Sequence, residues 1–351
     1  MGERRRARSR SGYRHGRRLR QARRGVVAVV GTLLALLVFF ALFGIFLTQY
    51  VPLWMEENEN AFSNQVQVSL ATLKSGVDDQ YTLGGIPGYS VPFTMSSQSV
   101  PLITQPTVAT LSYLNGCPDG FYASNGTPVR IGSCDFLRLA YNTATGAAGS
   151  QTHNFNQTSP TNYLEISLPD RYYVPLDYYF EGDAVTGAQT SGHGWMVAPP
   201  PLNVTKTSSN LTVQSSFVTL LGNTSSYTSQ GTKDVTSHFL STTNVTSVHR
   251  FLSTTGAART FNLTVTVGVH DLCGWYNFLY NETEHAFGST STTLWKLTAS
   301  GSSGSVALPP VLSNCQLSIT NTFDLELQVF NVNYAVTTIA QAQLTFNAGG
   351  L

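Results

Sequence analysis

Charge is scarce in this chain. Of 351 residues, 20 are Lys or Arg and 19 are Asp or Glu, and most of the bases crowd the first 24 positions. Eleven Arg stand there against one acid, Glu3, which leaves nine Lys or Arg against eighteen acids in the remainder. The formal charge of +1 thus hides a segment of +10 ahead of a body of −9. Low charge and abundant Ser, Thr, Asn, Gly and Tyr argue against surface helices and for strands, turns and a neutral hydrated surface. Apolar and aromatic residues at alternating positions are numerous enough to exclude a disordered body.

Cysteine is sparse too, with four residues, Cys117, Cys134, Cys273 and Cys315. None lies in a CxxC zinc pattern, and an even number in an exported segment favours two disulfides. Of the possible connectivities, Cys117 to Cys134 with Cys273 to Cys315 is preferred because it closes the smaller loops. Beyond the apolar run, the histidines His153, His193, His238, His249, His270 and His285 show neither HxxxH nor HxH spacing, so no metal site is expected. No cofactor motif is present. Catalytic constellations are missing as well: GSSGS at Gly301 is not a GxSxG elbow. His270 and Asp271 are neighbours at a strand end, where successive side chains point to opposite faces.

The one long apolar run is VVAVVGTLLALLVFFALFGIFL, Val26 to Leu47, whose 22 residues carry no charge. As a helix rising about 1.5 Å per residue it spans about 33 Å, enough for a bilayer. Its length and the lack of an A-x-A-like site exclude a conventional cleaved secretory signal. The twin Arg23 and Arg24 are followed by residues that offer twin-arginine export little support. Each Arg at a bilayer centre costs ~2.5 to 3.5 kcal/mol, so the Arg-rich segment is expected in the cytoplasm and the body outside. RRRARSR then reads as a topology signal that also touches anionic lipid, not as a nucleic-acid arm. Tyr50 and Trp54 fall where an outer aromatic belt belongs.

The next stretch is expected to be helical, because Phe62, Val66, Leu70, Leu73 and Val77 recur at helical spacing. Their seam either packs on the protein's own β body or serves helix-to-helix assembly. Glu56, Glu57 and Glu59 are expected in its first turns, favoured by the helix dipole, with Pro52 starting or kinking it. Gly76, Gly84 and Gly85 are expected to end it.

Beyond Tyr81 the period becomes two. TFNLTVTVGVH alternates Phe261, Leu263, Val265, Val267 and Val269 with polar residues or Gly, and FDLELQVF does the same. NLTVQSSFVTL and NVNYAVTTIAQAQLTF are weaker strands. The string FLSTT at Phe239 and Phe251 suggests neighbouring antiparallel strands. The fold class is therefore mainly β: a long N-terminal transmembrane and juxtamembrane helix followed by an antiparallel β-sandwich-like extracellular region. The expected division is a basic cytoplasmic leader (1–25), a transmembrane helix (26–48), a juxtamembrane amphipathic helix (49–80), a β-rich region (81–202) and a β-sandwich-like region (203–351). The last two are alternatively one domain.

Eight sequons, at Asn125, Asn156, Asn203, Asn210, Asn223, Asn244, Asn262 and Asn281, all lie beyond the apolar run and are candidate glycosylation sites. Asp177, Glu181 and Asp183 sit among Tyr172, Tyr173, Tyr178, Tyr179 and Phe180, a mixture that stacks and hydrogen-bonds sugars or, alternatively, forms core and strand edge. Two distant carboxylates can also meet in space for glycoside hydrolysis.

The string Arg24-Gly25-Val26, followed by Val29-Val30-Gly31-Thr32-Leu33-Leu34, resembles the N-terminal signature of archaeal type IV pilins and pilin-like surface proteins. The likeness extends through WMEENENAFSNQVQVSLATLKSGVDDQY into IPGYSVPFTMSSQSVPLITQPTVATLSY, about the first third of the chain. It implies that a prepilin peptidase cuts after Gly25, so that Val26 opens the mature chain. Its helix then stays in the membrane or meets other pilin-like subunits in a filament. Departures are Val27 and Ala28 where the family has Ser-Pro, and Val30 where bacterial pilins carry an acid. The expected role is structural or adhesive at the cell surface, without catalysis. The alternative is a membrane-tethered extracellular carbohydrate-binding protein or hydrolase that meets surface glycans.

Overall fold

The computed structural model describes residues 12–84, 88–99, 104–114, 136–143, 154–189, 192–207, 210–245, 261–288, 294–301, 304–306 and 323–348. The chain forms two compact units, Met1–Glu56 and Glu57–Leu351.

The first unit is helical throughout its described part. Helix α1 covers Gly12–Ile45, a π-helical turn covers Phe46–Tyr50, and α2 (Val51–Leu83) follows at once. The widened turn has a local cause. Pro52 lacks an N–H, and its ring would collide with the carbonyl four residues back in a regular α-helix. One turn therefore opens, and the Val51 N–H reaches the carbonyl of Phe46. Large apolar residues of α1 are exposed, from Val29 at 58% to Ile45 at 49%. This is the one helix among the described residues long and apolar enough to cross a membrane.

Two expectations are corrected here. Helix α2 begins at Val51, near the expected boundary, but it continues from the π-turn and has no acid in its first turn, so no free helix terminus faces Glu56, Glu57 and Glu59. Gly76 does not end α2 either, since the helix runs on to Leu83 and Gly84 takes the left-handed turn at φ +61°. Gly76 is small because the ring of Tyr89 lies on it: a Cβ there would stand 2.0 Å from Tyr89 Cδ1.

The second unit holds the seam of α2, β strands and one further helix. The strands are β1 (Tyr89–Thr94), β2 (Thr110–Leu114), β3 (Phe136–Thr143), β4 (Asn154–Pro160), β5 (Tyr163–Leu168) and β6 (Leu176–Glu181). Then come β7 (Ala184–Gln189), β8 (Gly194–Ala198), β9 (Leu202–Lys206), β10 (Leu211–Leu221), β11 (Ser225–Thr228), β12 (Thr232–Val245) and β13 (Phe261–Val269). Helix α3 (Leu272–Phe287) is followed by β14 (Trp295–Gly301), β15 (Gly304–Val306), β16 (Phe323–Val332) and β17 (Tyr334–Ala348).

Three sheets result, ordered β1-β12-β17-β10-β9, β11-β2-β5-β6-β7-β8 and β15-β14-β16-β13-β3-β4. Strands from either side of residue 203 share all three sheets. Pairing is antiparallel except between β10 and β17, which run parallel from Thr212↔Tyr334 to Leu221↔Gln343. That pair departs from the expected antiparallel pattern, and the long chain between the two strands supplies the crossover that parallel pairing needs.

The α2 seam is buried in its own body. Phe62, Val66, Leu70, Leu73 and Val77 are at most 4% exposed and share a core with residues of β1, β2, β5, β6, β7, β10, β12 and β17. A second core joins β13, β14 and β16 to α3. Along β13, Leu263, Val265, Val267 and Val269 are buried, as the alternation requires. Helix α3 falls where only strands were expected. Leu272, Trp275, Tyr276, Leu279, Thr283 and Phe287 recur at helical spacing and are buried, and the Asp271 side chain caps the first turn by accepting from the Gly274 N–H. Of the FLSTT pair, Phe239 lies on β12, beside β1 and β17, and Phe251 lies outside the described residues.

The Tyr89 contact yields a test. Gly76→Val should drive its side chain into the ring and destabilise the body by roughly 1 to 3 kcal/mol, read as a lower urea midpoint in detergent-solubilised full-length protein. An unchanged midpoint would contradict the close packing.

Candidate functional site

Alternation along β6 divides the acidic and aromatic cluster noted in the sequence. Tyr178 and Phe180 enter the core shared with α2, whereas Asp177, Tyr179 and Glu181 occupy the other face of the sheet. On the neighbouring strand β5 that face carries Tyr163, Glu165 and Ser167, with Glu165 opposite Tyr179 and Ser167 opposite Asp177. Tyr172 and Tyr173 lie on the loop before β6. Asp183 sits in the β6–β7 turn, which Gly182 and Asp183 make at φ +57° and +72°.

His270, just past the end of β13, closes the cluster. Its ring stacks on Tyr179 at 5.2 Å and 10°, and meets Tyr163 at 4.1 Å with a 41° tilt. Its Nδ1 stands 3.1 Å from Glu181 Oε2, and its backbone N–H donates to the same oxygen at 3.1 Å. The contact fits the tautomer whose proton is on Nδ1, which donates to the carboxyl oxygen. Trp275 Nε1–H donates to the other oxygen, Glu181 Oε1, at 3.1 Å. Glu181 is 1% exposed, and these donors satisfy the oxygens that burial removes from water.

Asp271 follows His270 and caps α3. It is buried against glycines: a Cβ at Gly194 would meet Asp271 Oδ1 at 1.8 Å, and one at Gly274 would meet Oδ2 at 2.5 Å. Burial pushes its carboxyl up to about 7, opposed by the Gly274 N–H and reinforced by the charge of Glu181.

Glu165 and Asp177 are half-buried and diagonal to one another on adjacent strands, a relation that places Cβ atoms about 7 to 8 Å apart. Burial raises both above the ordinary carboxylate range. At Glu165 the charge of Asp177 adds to the rise and His270 opposes it, and at Asp177 a hydrogen bond from Ser167 opposes it. Burial, then the surrounding carboxylates, keeps the Tyr179 phenol neutral. Carboxyls of this kind either accept hydrogen bonds or, protonated, donate them, which suits contact with hydroxyl groups.

The structure thus joins Asp177, Tyr179 and Glu181 and leaves out Tyr178, Phe180 and Asp183, which face the α2 side. Sequence reasoning missed Tyr163, Glu165 and His270. The alternation of YLEIS against LDYYFE would have found the first two, while His270 arrives only through the third sheet. Among the described residues, no three His, Cys, Asp or Glu side chains gather so as to hold a metal ion.

The remaining sequence candidates are dispersed. Arg24, Gly25 and Val26 fall within α1. Cys273 is disulfide-bonded, and Cys117, Cys134 and Cys315 lie outside the described residues, as does Asn125. Asn203, Asn210, Asn223 and Asn281 are exposed; Asn156 and Asn244 belong to β4 and β12. Asn262 is half-buried on β13 and accepts from the Asn331 N–H at 3.4 Å.

Replacing Glu181 by Leu should strand the donors of His270 and Trp275 and cost about 3 kcal/mol. The expected outcome is a lower melting temperature together with red-shifted tryptophan emission, and an unchanged melting temperature would contradict the buried network. Comparison of the chain with protein-family models, curated proteins and solved structures returned no match.

Proposed function

We propose that this chain is a single-pass membrane-anchored surface protein. Its Arg-rich N-terminus lies in the cytoplasm, its β body stands outside the cell, and its role is structural or adhesive without turnover. The observation that carries this reading is the uncovered apolar helix: none of its most apolar window is buried within the protein. Twenty-two uncharged residues in water would be a severe exposed apolar patch, whereas in a bilayer they are solvated by lipid. The Arg excess on one side sets the direction of insertion.

The likeness to archaeal pilin-like proteins extends the proposal. A prepilin peptidase removes the leader after Gly25, and other pilin-like subunits are met through the N-terminal helix. With the α2 seam committed to the β body, such contacts belong to the apolar stretch of α1. The exposed Asn203, Asn210, Asn223 and Asn281 are the sequons best placed to carry glycans, and the cysteines outside the bilayer are placed for oxidation.

A second reading is a membrane-tethered carbohydrate-binding protein or hydrolase. The diagonal pair Glu165 and Asp177, with Tyr163 beside it, favours this reading because carboxyls next to aromatic rings are suited to hydroxylated ligands. Loss of retention on surface polysaccharide in a Glu165→Gln, Asp177→Asn double variant would support it.

Protease added to intact cells should digest the body while sparing the apolar helix, and N-terminal sequencing of the native protein should begin at Val26. A body degraded only after lysis would overturn the orientation, and an uncleaved start would leave a plain anchor.

A further inference from the structure

We infer that the joint between α2 and the β body is a proton-binding device, which closes fully only when its surplus carboxyls are protonated and so holds more firmly in acid than at neutral pH. The inference concerns the second unit alone and does not depend on the side of the membrane on which it lies.

The joint has an acidic group toward each end of the docked part of α2. At the first, Glu59 is fully buried, and its carboxylate takes hydrogen bonds from the Thr107 hydroxyl at 2.5 Å and from the backbone N–H groups of Arg171, Tyr172 and Tyr173 at 3.3, 2.7 and 2.7 Å. Those donors satisfy one carboxylate. Beside it stands a second, Asp170, 6% exposed, with neither carboxyl oxygen hydrogen-bonded. The groups that face it are Glu59 on α2 and the phenol of Tyr178, which is bonded to Ser63 at 2.8 Å and also feels Tyr173. The neighbouring Arg171 is exposed.

At the second group, Lys74 Nζ lies 2.6 Å from Asp78 Oδ2 and 3.7 Å from Asp183 Oδ1. Asp183 is buried with both oxygens lacking a hydrogen bond, and Asp78 Oδ1 lacks one as well. Tyr81 faces both acids, and its hydroxyl pairs with Ser216 at 3.1 Å. Asp79, the next residue, is exposed.

Together the two groups hold four carboxyls and a single ammonium. Fully ionised, the joint would bury surplus negative charge with no donors to stabilise it, and a group in that position neutralises instead. Burial, reinforced by Glu59, pushes Asp170 up to about 7. Burial raises Asp183 well above the ordinary range, with Lys74 opposing and Asp78 adding. A carboxyl whose folded-state proton affinity exceeds its unfolded value of 3.8 stabilises the fold most below that value. That contribution declines as pH rises and, for Asp170, is gone above about 7.

The test uses the full-length chain in detergent micelles or nanodiscs. The melting temperature should be roughly 5 °C higher at pH 5 than at pH 8. Asp170→Asn, which mimics the protonated acid, should raise the pH 8 value toward the pH 5 value and leave the pH 5 value unchanged. Because Asp271 shifts stability with the same sign elsewhere in the body, a local readout is needed. Amide exchange of residues 59–80, corrected for intrinsic rates, should show several-fold more opening at pH 8 than at pH 5. Equal protection at both pH values, or an Asp170→Asn variant less stable at pH 8, would overturn the inference.

Discussion

A carboxylate buried out of reach of water requires donors, and the body of this protein is organised around that requirement at Glu59. Its partners come from Thr107, before β2, and from the loop between β5 and β6. One side chain therefore fixes α2 against two distant parts of the β body. The apolar seam supplies most of the burial, but Phe62, Val66 and Leu70 do not define a direction by themselves, since apolar contact is non-directional. The polar pairs do. Besides Glu59, Gln80 exchanges hydrogen bonds with Ser237 at 3.1 and 3.0 Å, which sets the register of the helix at its far end.

The same pattern recurs at Glu181, where His270 and Trp275 converge from the end of β13 and the start of α3. At Glu181 the buried acid links strands of two different sheets, β6 and the end of β13, whereas at Glu59 it links α2 to one sheet, that of β2, β5 and β6. Removing such an acid leaves several donors unpaired, which costs more than the net strength of the bonds it made. On the same face of the sheet, the half-buried Glu165 lies one row from Glu181 and Asp177 two rows.

What was legible in the sequence follows from the range over which each signal acts. The α2 seam and strands such as β13 were readable because helical or alternating spacing is local, and every apolar position it marked from Leu263 to Val269 is buried, although Thr266 and Gly268 between them are buried as well. The purpose of Glu59 was not readable. A glutamate just beyond an apolar run looks like a dipole or surface residue, and its donors lie more than 40 positions away. Helix α3 was hidden because the alternation of β13 runs up to Val269 and directs attention past Asp271, whose capping role emerges only with Gly274. At the candidate site, Asp177, Tyr179 and Glu181 were found through their clustering in one strand. That clustering also drew in Tyr178 and Phe180, which the alternation places on the opposite face.

Scarce charge and buried acids belong to one arrangement. Of the few acids in the body, Glu59, Asp170, Glu181, Asp183 and Asp271 are each at most 6% exposed. The exposed face near β2 is instead laid out with hydroxyls, where Thr110 pairs with Thr228 at 3.1 Å and Ser112 with Ser226 at 2.9 Å. Hydroxyls and amides keep a surface hydrated without titrating, so a change of pH alters little there. Asp170, Asp183 and Asp271 respond instead, because burial raises all three carboxyls above the ordinary range. The response of this body to its medium is thus concentrated in its core and in the joint to α2, the reverse of a domain whose charges lie on its surface.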